Sequence, residues 1–251
     1  MLKLAVAYAQ ENYQAKAKAL ATALALPLIQ ILEPKKLEGY DLFFWCDIYL
    51  SLYDPPSQIR AEFSLKKASQ HQKEGKKQAL ARAMGLHKLS ELSDLKVIDA
   101  TAGLGKDSFV LASLGVEVVM LERSPLILPL LQDALALAQQ DPQLSSIVKG
   151  LRLIHGEARQ IIPQLKPHEV IYLDPMYPDS PKRALPKKEM QIFLKLLRGV
   201  TDDDTLLELA LAHALKRVVV KRPRHAPHLA GKAASFSLEG ESTRYDVYLT
   251  S

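Results

Sequence analysis

The sequence predicts an α/β protein built on a mostly parallel sheet, preceded by a smaller α/β lobe. Three observations predict it. From about residue 95, near-continuous apolar runs alternate with helical stretches, the pattern of strands buried on both faces by helices. Two of these runs end in a carboxylate followed by loop-forming residues, at Asp99 and Asp174. The last two runs are separated by Glu239-Gly240-Glu241-Ser242, a hairpin, so the sheet closes with an antiparallel strand.

The elements follow in order. Leu2–Tyr8 reads as a strand and Gln10–Leu24 as an Ala-rich helix, with a break at Pro27. Leu42–Trp45 and Asp47–Tyr53 read as strands, stopped by Asp54-Pro55-Pro56. These make a small lobe over 1–65. Residues 66–90 form a basic linker and helix, with Lys66, Lys67, Lys73, Lys76, Lys77 and Arg82 against Glu74. That charge suits either a solvated helix face or phosphate contact. Residues 91–251 carry the main domain. It has strands at Lys96–Asp99, Val116–Leu121, Leu151–His155, Val170–Leu173 and Arg217–Val220, then the hairpin Ala234–Leu238 and Arg244–Leu249. One helix runs to Leu114, closed by Gly115, and another through Gln140.

Composition narrows the class. The 251 residues are 48% hydrophobic and 24% charged, which excludes a disordered or low-complexity chain. Lys plus Arg number 33 against 28 for Asp plus Glu, so the formal charge is +5; this permits a nucleic-acid partner without demanding one. Cys46 is the single cysteine, beside Trp45, and is expected to be buried and inert in a reducing compartment. With no apolar run near the roughly 20 residues of a membrane span, the expected location is the cytoplasm.

Asp99-Ala100-Thr101-Ala102-Gly103-Leu104-Gly105-Lys106-Asp107 is the most informative stretch: a strand ending in a carboxylate, a glycine turn, then a helix. In an open α/β sheet, ligands bind beyond the carboxyl ends of the strands. Glu122 closes the next strand, at about the ~20-residue spacing at which an acid meets ribose hydroxyls. A P-loop is excluded, because Leu104 alone separates Gly103 from Gly105 and Asp107 follows Lys106. A dinucleotide fits poorly. A carboxylate ~4 Å from its pyrophosphate costs roughly 4 kcal/mol at an effective dielectric of about 20, and Ser108 stands where the third fingerprint glycine belongs. A cationic ligand fits better. S-adenosylmethionine carries a sulfonium and an amino group that suit the acids, and one carboxylate that suits Lys106 or the helix N–H groups.

The second motif is Val170-Ile171-Tyr172-Leu173-Asp174-Pro175-Met176-Tyr177-Pro178. Asp-Pro-x-aromatic at a strand end suits methylation of an exocyclic amino nitrogen of a base. Asp174 and the Pro175 carbonyl accept the amino N–H bonds, and Tyr177 stacks on the base. Basic residues follow at Lys182, Arg183, Lys187 and Lys188, and again at Lys221, Arg222, Arg224 and His225, where phosphates of a polynucleotide could lie. His155 reads as structural or pocket-lining. His225 and His228 have no Cys or carboxylate at ligand spacing, so no metal is expected.

These residues, with Met120-Leu121-Glu122-Arg123, Lys187-Lys188-Glu189-Met190, Lys216-Arg217-Val218-Val219-Val220-Lys221-Arg222-Pro223 and Arg244-Tyr245-Asp246-Val247-Tyr248, resemble the ribosomal RNA small subunit methyltransferase J family, collinearly from about residue 61 to 249. The resemblance implies a class I Rossmann-like methyltransferase with a seven-stranded sheet. It would use S-adenosylmethionine to methylate N2 of a guanine in 16S rRNA, on free RNA or in the small ribosomal subunit. Separately from the resemblance, a monomer is expected. Its cofactor contacts would fall on Lys106, Asp107, Glu122, Arg123 and Asp174, and on Glu157 and Ala158, where the family often has small hydroxyl residues. Residues 70–78 keep the positive charge but few of the glycines of the family's stretch there. Two rivals stand beside this reading. One is a DNA adenine-N6 methyltransferase with the same Asp-Pro chemistry, and the other a ribosome-assembly factor that binds RNA without turnover.

Overall fold

The structure, a computed structural model, describes residues 2–90, 95–175, 191–192, 195–196, 205–240 and 242–250. The chain divides into two compact units. The first takes residues 1–62 and 125–136 with the described part of 179–200, and the second residues 63–124, 137–178 and 201–251.

In the first unit, β1 (Leu4–Tyr8) lies parallel to β2 (Leu28–Gln30) and to β3 (Leu42–Cys46). β3 pairs antiparallel with β4 (Leu50–Asp54), and β4 with β5 (Ser57–Ile59), in the order β2-β1-β3-β4-β5. Phe43, Trp45, Ala5 and Ala7 form one buried cluster, and the Phe43 and Tyr53 rings stack at 5.3 Å. The helix α1 is Gln14–Leu24, shorter than expected because Glu11–Tyr13 winds as a 3₁₀ turn. Asp54-Pro55-Pro56 ends β4 at Asp54, as expected. It turns β4 back into β5, with Asp54 paired to Ser57. Cys46 is buried, and burial pushes its thiol up to about 12, which makes it unreactive.

In the second unit, α2 (Leu65–Glu74) and α3 (Ala79–Met84) precede the sheet strands β6 (Lys96–Asp99), β7 (Glu117–Glu122), β8 (Leu151–His155), β9 (His168–Leu173), β10 (Ala214–Pro223), β11 (Phe236–Glu239) and β12 (Thr243–Leu249). Their order is β11-β12-β10-β9-β6-β7-β8. All are parallel except β12, which runs antiparallel to both β10 and β11. The antiparallel strand therefore lies one place in from the edge, not at it. Helix α4 (Lys106–Ser113) connects β6 to β7 and ends before Gly115 at φ +93°. In chain order, α5 (Leu128–Gln140), which belongs to the first unit as far as Ala136, and α6 (Pro142–Val148) come between β7 and β8, α7 (Ala158–Ile161) comes between β8 and β9, and α8 (Thr205–His213) precedes β10. On one sheet face Ile98, Leu121, Ile171, Leu173, Val218 and Val220 are buried with Leu206, Leu207 and Ala210 of α8. The chain moves outward from β6 through β7 to β8, then returns to β9 on the other side of β6. The switch point is thus between β6 and β9, where open α/β sheets bind ligands.

Candidate functional site

Side chains alternate between the faces of a strand, so register decides what can meet. Asp99 is paired with Met120 on one side and Tyr172 on the other, and Tyr172 with Val219. Two residues further along their strands, Glu122, Asp174 and Lys221 fall on that same face, and Lys221 is paired with Tyr245 on β12. Five neighbouring strands thus bring Glu122, Asp99, Tyr172 with Asp174, Lys221 and Tyr245 to one face at one rim.

The loop between β6 and α4 is held by these acids. Asp99 is 2% exposed; its carboxylate accepts the Thr101 N–H at 3.1 Å and the Ser108 hydroxyl at 2.6 Å. Burial pushes Asp99 up to about 7 against those two donors, with Asp107 and Asp174 adding to the rise. Ser108, in place of the third fingerprint glycine, is the residue that satisfies it. Glu122 accepts the Gly103 N–H at 2.9 Å and the Ser124 N–H at 2.7 Å. Burial raises it too, opposed by the N–H donors and by Arg123. Gly103 and Gly105 take φ of +55° and +70°, the left-handed region that glycine enters without strain. The nearest atom to a Cβ at Gly103 would be 3.9 Å away, so backbone conformation accounts for that glycine without any close approach.

Asp107, in the first turn of α4, accepts the Tyr172 hydroxyl at 2.5 Å and the Lys221 ammonium at 2.8 Å. The same ammonium reaches Asp174 at 3.0 Å, and the Asp174 N–H donates to Thr101 Oγ1 at 2.6 Å. Burial works against the charge of Lys221, but Asp174 and Asp107 outweigh it and hold the ammonium well above its ordinary range. Tyr245 is pushed up to about 12, chiefly by burial, and stays a neutral phenol. Beside this cluster, Glu157 pairs with Arg123 at 3.3 Å and Arg159 at 3.4 Å, and Ala158 is buried. Lys106 is exposed.

The sequence-expected residues Asp99, Gly103, Gly105, Asp107, Glu122, Asp174 and Pro175 therefore gather around the switch point. Tyr177, Lys182, Arg183, Lys187 and Lys188 lie outside the described residues. Two residues expected at phosphates have partners within the chain. Lys221 is engaged by two carboxylates. Arg222 faces the opposite side of β10, is 5% exposed and donates to the Pro227 carbonyl at 3.2 Å, so it anchors a turn. His228 also has a carboxylate partner that spacing did not reveal, Asp246 at 2.9 Å. Sequence reading overlooked Thr101, Ser108, Ser124, Tyr172 and Tyr245. For Tyr172 the signal was its two-residue offset from Asp174; for Tyr245 it was membership of the closing strand. Among the described residues no cluster of three metal-ligating side chains occurs, and no helix is long and apolar enough to cross a membrane.

A seven-stranded sheet with one reversed strand, a glycine turn after β6 beside the switch point and acids at the neighbouring strand ends define a methyltransferase that uses S-adenosylmethionine. Residues 44–250 match the family model described as "Putative SAM-dependent methyltransferase". The donor set fits that cofactor: carboxylates line the rim where a pyrophosphate would be repelled and a sulfonium is not. A SAM-dependent methyltransferase from Neisseria gonorrhoeae, known from its crystal structure, is 32% identical and superposes with a TM-score of 0.72 over 97% of this chain and 95% of its own. Proteins named ribosomal RNA small subunit methyltransferase J are 41% identical in Marinobacter nauticus, over 98% of this chain and 91% of that one, and 41% in Thioalkalivibrio sulfidiphilus, over 99% and 98%. The relative of that name in Pseudomonas paraeruginosa is 45% identical over 78% of this chain and 75% of its own. The chain belongs to the ribosomal RNA small subunit methyltransferase J family.

Proposed function

We propose that this protein is a cytoplasmic enzyme, active as a monomer, that methylates the exocyclic N2 of one guanine in 16S rRNA. The observation that carries the reading is Asp174-Pro175 at the switch point, tied to the cofactor loop through Thr101. The relatives' shared name supplies the substrate class.

S-adenosylmethionine, when bound, supplies an electrophilic methyl group on a sulfonium. Glu122 would hold its ribose hydroxyls, and Asp99, Asp107, Gly103 and Gly105 would shape the adjoining cradle. Lys106 suits the cofactor carboxylate, while Arg123 with Glu157 and Ala158 would border the adenine side. Asp174 and the Pro175 carbonyl accept the N–H bonds of the guanine amino group and turn its lone pair toward the methyl; Tyr177 supplies the stacking platform. Once the new C–N bond has formed, the amino nitrogen passes one proton to water or to Asp174. The enzyme's contribution is position and electrostatics.

Mapping of 16S rRNA from cells lacking the protein should show one N2-methylguanine missing, restored by the wild-type gene and not by Asp174→Ala. Cofactor affinity of that variant, read by calorimetry, should remain measurable. Labelled methyl transferred to DNA in preference to small-subunit RNA would replace this substrate. RNA binding without cofactor consumption would make the protein an assembly factor.

A further inference from the structure

Lys221 is the residue whose position is least explained by the reading above. It sits on β10, opposite Tyr245, and its side chain is 23% exposed. A lysine that serves phosphates extends its ammonium to solvent. Here the ammonium lies between Asp107 Oδ2 at 2.8 Å and Asp174 Oδ2 at 3.0 Å. One of these carboxylates belongs to the cofactor helix α4 and the other to the base-binding loop after β9. The Tyr172 hydroxyl also donates to Asp107 Oδ2, so this oxygen accepts from two directions and the carboxylate plane of Asp107 is set.

Two carboxylates flanking one ammonium leave a net charge of −1; without the ammonium the same pocket holds −2. Like charges brought together raise one carboxylate's proton affinity, and a protonated Asp174 becomes a donor that competes with the amino N–H bonds it should accept. The groups facing this centre are Asp99 on β6, Asp107 on α4, Tyr172 on β9 and Tyr245 on β12, the two tyrosines being kept neutral chiefly by burial. Among the described residues, Lys221 is a cation placed between two of these carboxylates.

We propose that Lys221 is a positioning residue for methyl transfer: its ammonium clamps Asp174 to Asp107, fixing the orientation of the base-binding carboxylate and keeping it ionised. The inference rests on the guanine-N2 reading for its substrate but not for its geometry. It differs from phosphate contact in what a substitution does. Loss of a clamp lowers turnover and leaves RNA affinity alone. Loss of a phosphate contact weakens RNA binding and flattens its salt dependence by about one unit of slope.

The test compares wild type, Lys221→Met and Lys221→Arg with methylation of 16S rRNA as the assay. Lys221→Met should lower kcat at least tenfold, with KM for RNA and the salt slope unchanged, and Lys221→Arg should recover a substantial part of kcat. A raised RNA KM with a flatter salt slope and unaltered kcat would overturn the clamp, as would full activity of Lys221→Met. The free enzyme gives a second readout that needs no substrate. In NMR titration of carboxyl-¹³C-labelled aspartate, Lys221→Met should show one site carboxylate titrating at least one pH unit higher than in wild type. Lys221→Arg, which keeps the charge and guards against a folding defect, should not. An unchanged titration in Lys221→Met overturns the proposal. Wild-type inactivity on 16S rRNA would instead remove the substrate reading, leaving the titration to decide on Lys221.

Discussion

Asp99 shows what one buried acid does to a site. With its proton affinity raised to about 7 by burial, it stays protonated in the folded chain at pH values where the unfolded chain has released the proton. Between the ordinary carboxylate range and about pH 7 the folded state therefore holds the extra proton, and stability from this group falls as pH rises. The slope reaches about 1.4 kcal/mol per pH unit. Asp99→Asn keeps an acceptor for the Thr101 N–H, turns its amide N–H toward the Ser108 oxygen, and removes the charge. The stability difference between wild type and Asp99→Asn should shift against wild type from pH 5 to pH 8 in urea unfolding of the free protein; parallel pH curves would refute this. At this scale the sequence was legible where chemistry is contiguous, as in Asp99-to-Asp107 and Asp174-Pro175. It was not legible for Lys221, whose partners stand 114 and 47 residues away and meet it only through sheet register.

Elements were legible in proportion to their length and burial. The parallel strands of the main sheet follow their apolar runs. The missing ones are β2 and β5, each three residues long and too short to show a period. Helix α6 did have a signal. Asp141 caps it by accepting the Gln143 and Leu144 N–H groups, and Pro142 occupies its first turn, the expected start of a helix. β10 outruns its apolar centre at both ends, since Lys216, Arg217, Lys221 and Arg222 disguise a strand of ten residues. The closing hairpin has its own anchor. Asp246, fully buried on β12, accepts from Arg244 at 2.8 and 3.0 Å, Ser237 at 2.6 Å and His228 at 2.9 Å. Burial alone would raise it, but these donors hold it below the ordinary carboxylate range, so its contribution is present at neutral pH and lost in acid. Asp246→Ala strands a buried guanidinium and should cost about 3 kcal/mol in urea unfolding. A loss under 1 kcal/mol would mean that Arg244 finds other partners.

For the molecule as a whole, the sequence carried the class of fold and the cofactor, because both are written in strand ends and in the loops that follow them. It did not carry the composition of the compact units, since Pro125–Ala136 joins the first unit across a long stretch of chain. Net charge left the RNA-facing surface open. With Arg222 buried and Lys221 ion-paired, the basic helix α2 gains weight as a phosphate-facing element: Lys66, Lys67 and Lys73 are exposed on it. Replacing all three with Gln should reduce the slope of log affinity for 16S rRNA against log salt by about two to three units. An unaltered slope would leave α2 as a solvated face.

The reversed strand has an effect on how the protein comes into being. β12 follows both β10 and β11 in the chain yet lies between them. A polypeptide synthesised only as far as residue 242 presents β10 with an open row of amide and carbonyl groups and gives β11 no neighbour at all, a rim to which a second unfinished copy could stick. A nonsense codon soon after residue 242 would thus remove β12 and, with it, Tyr245 from the rim where Lys221 stands.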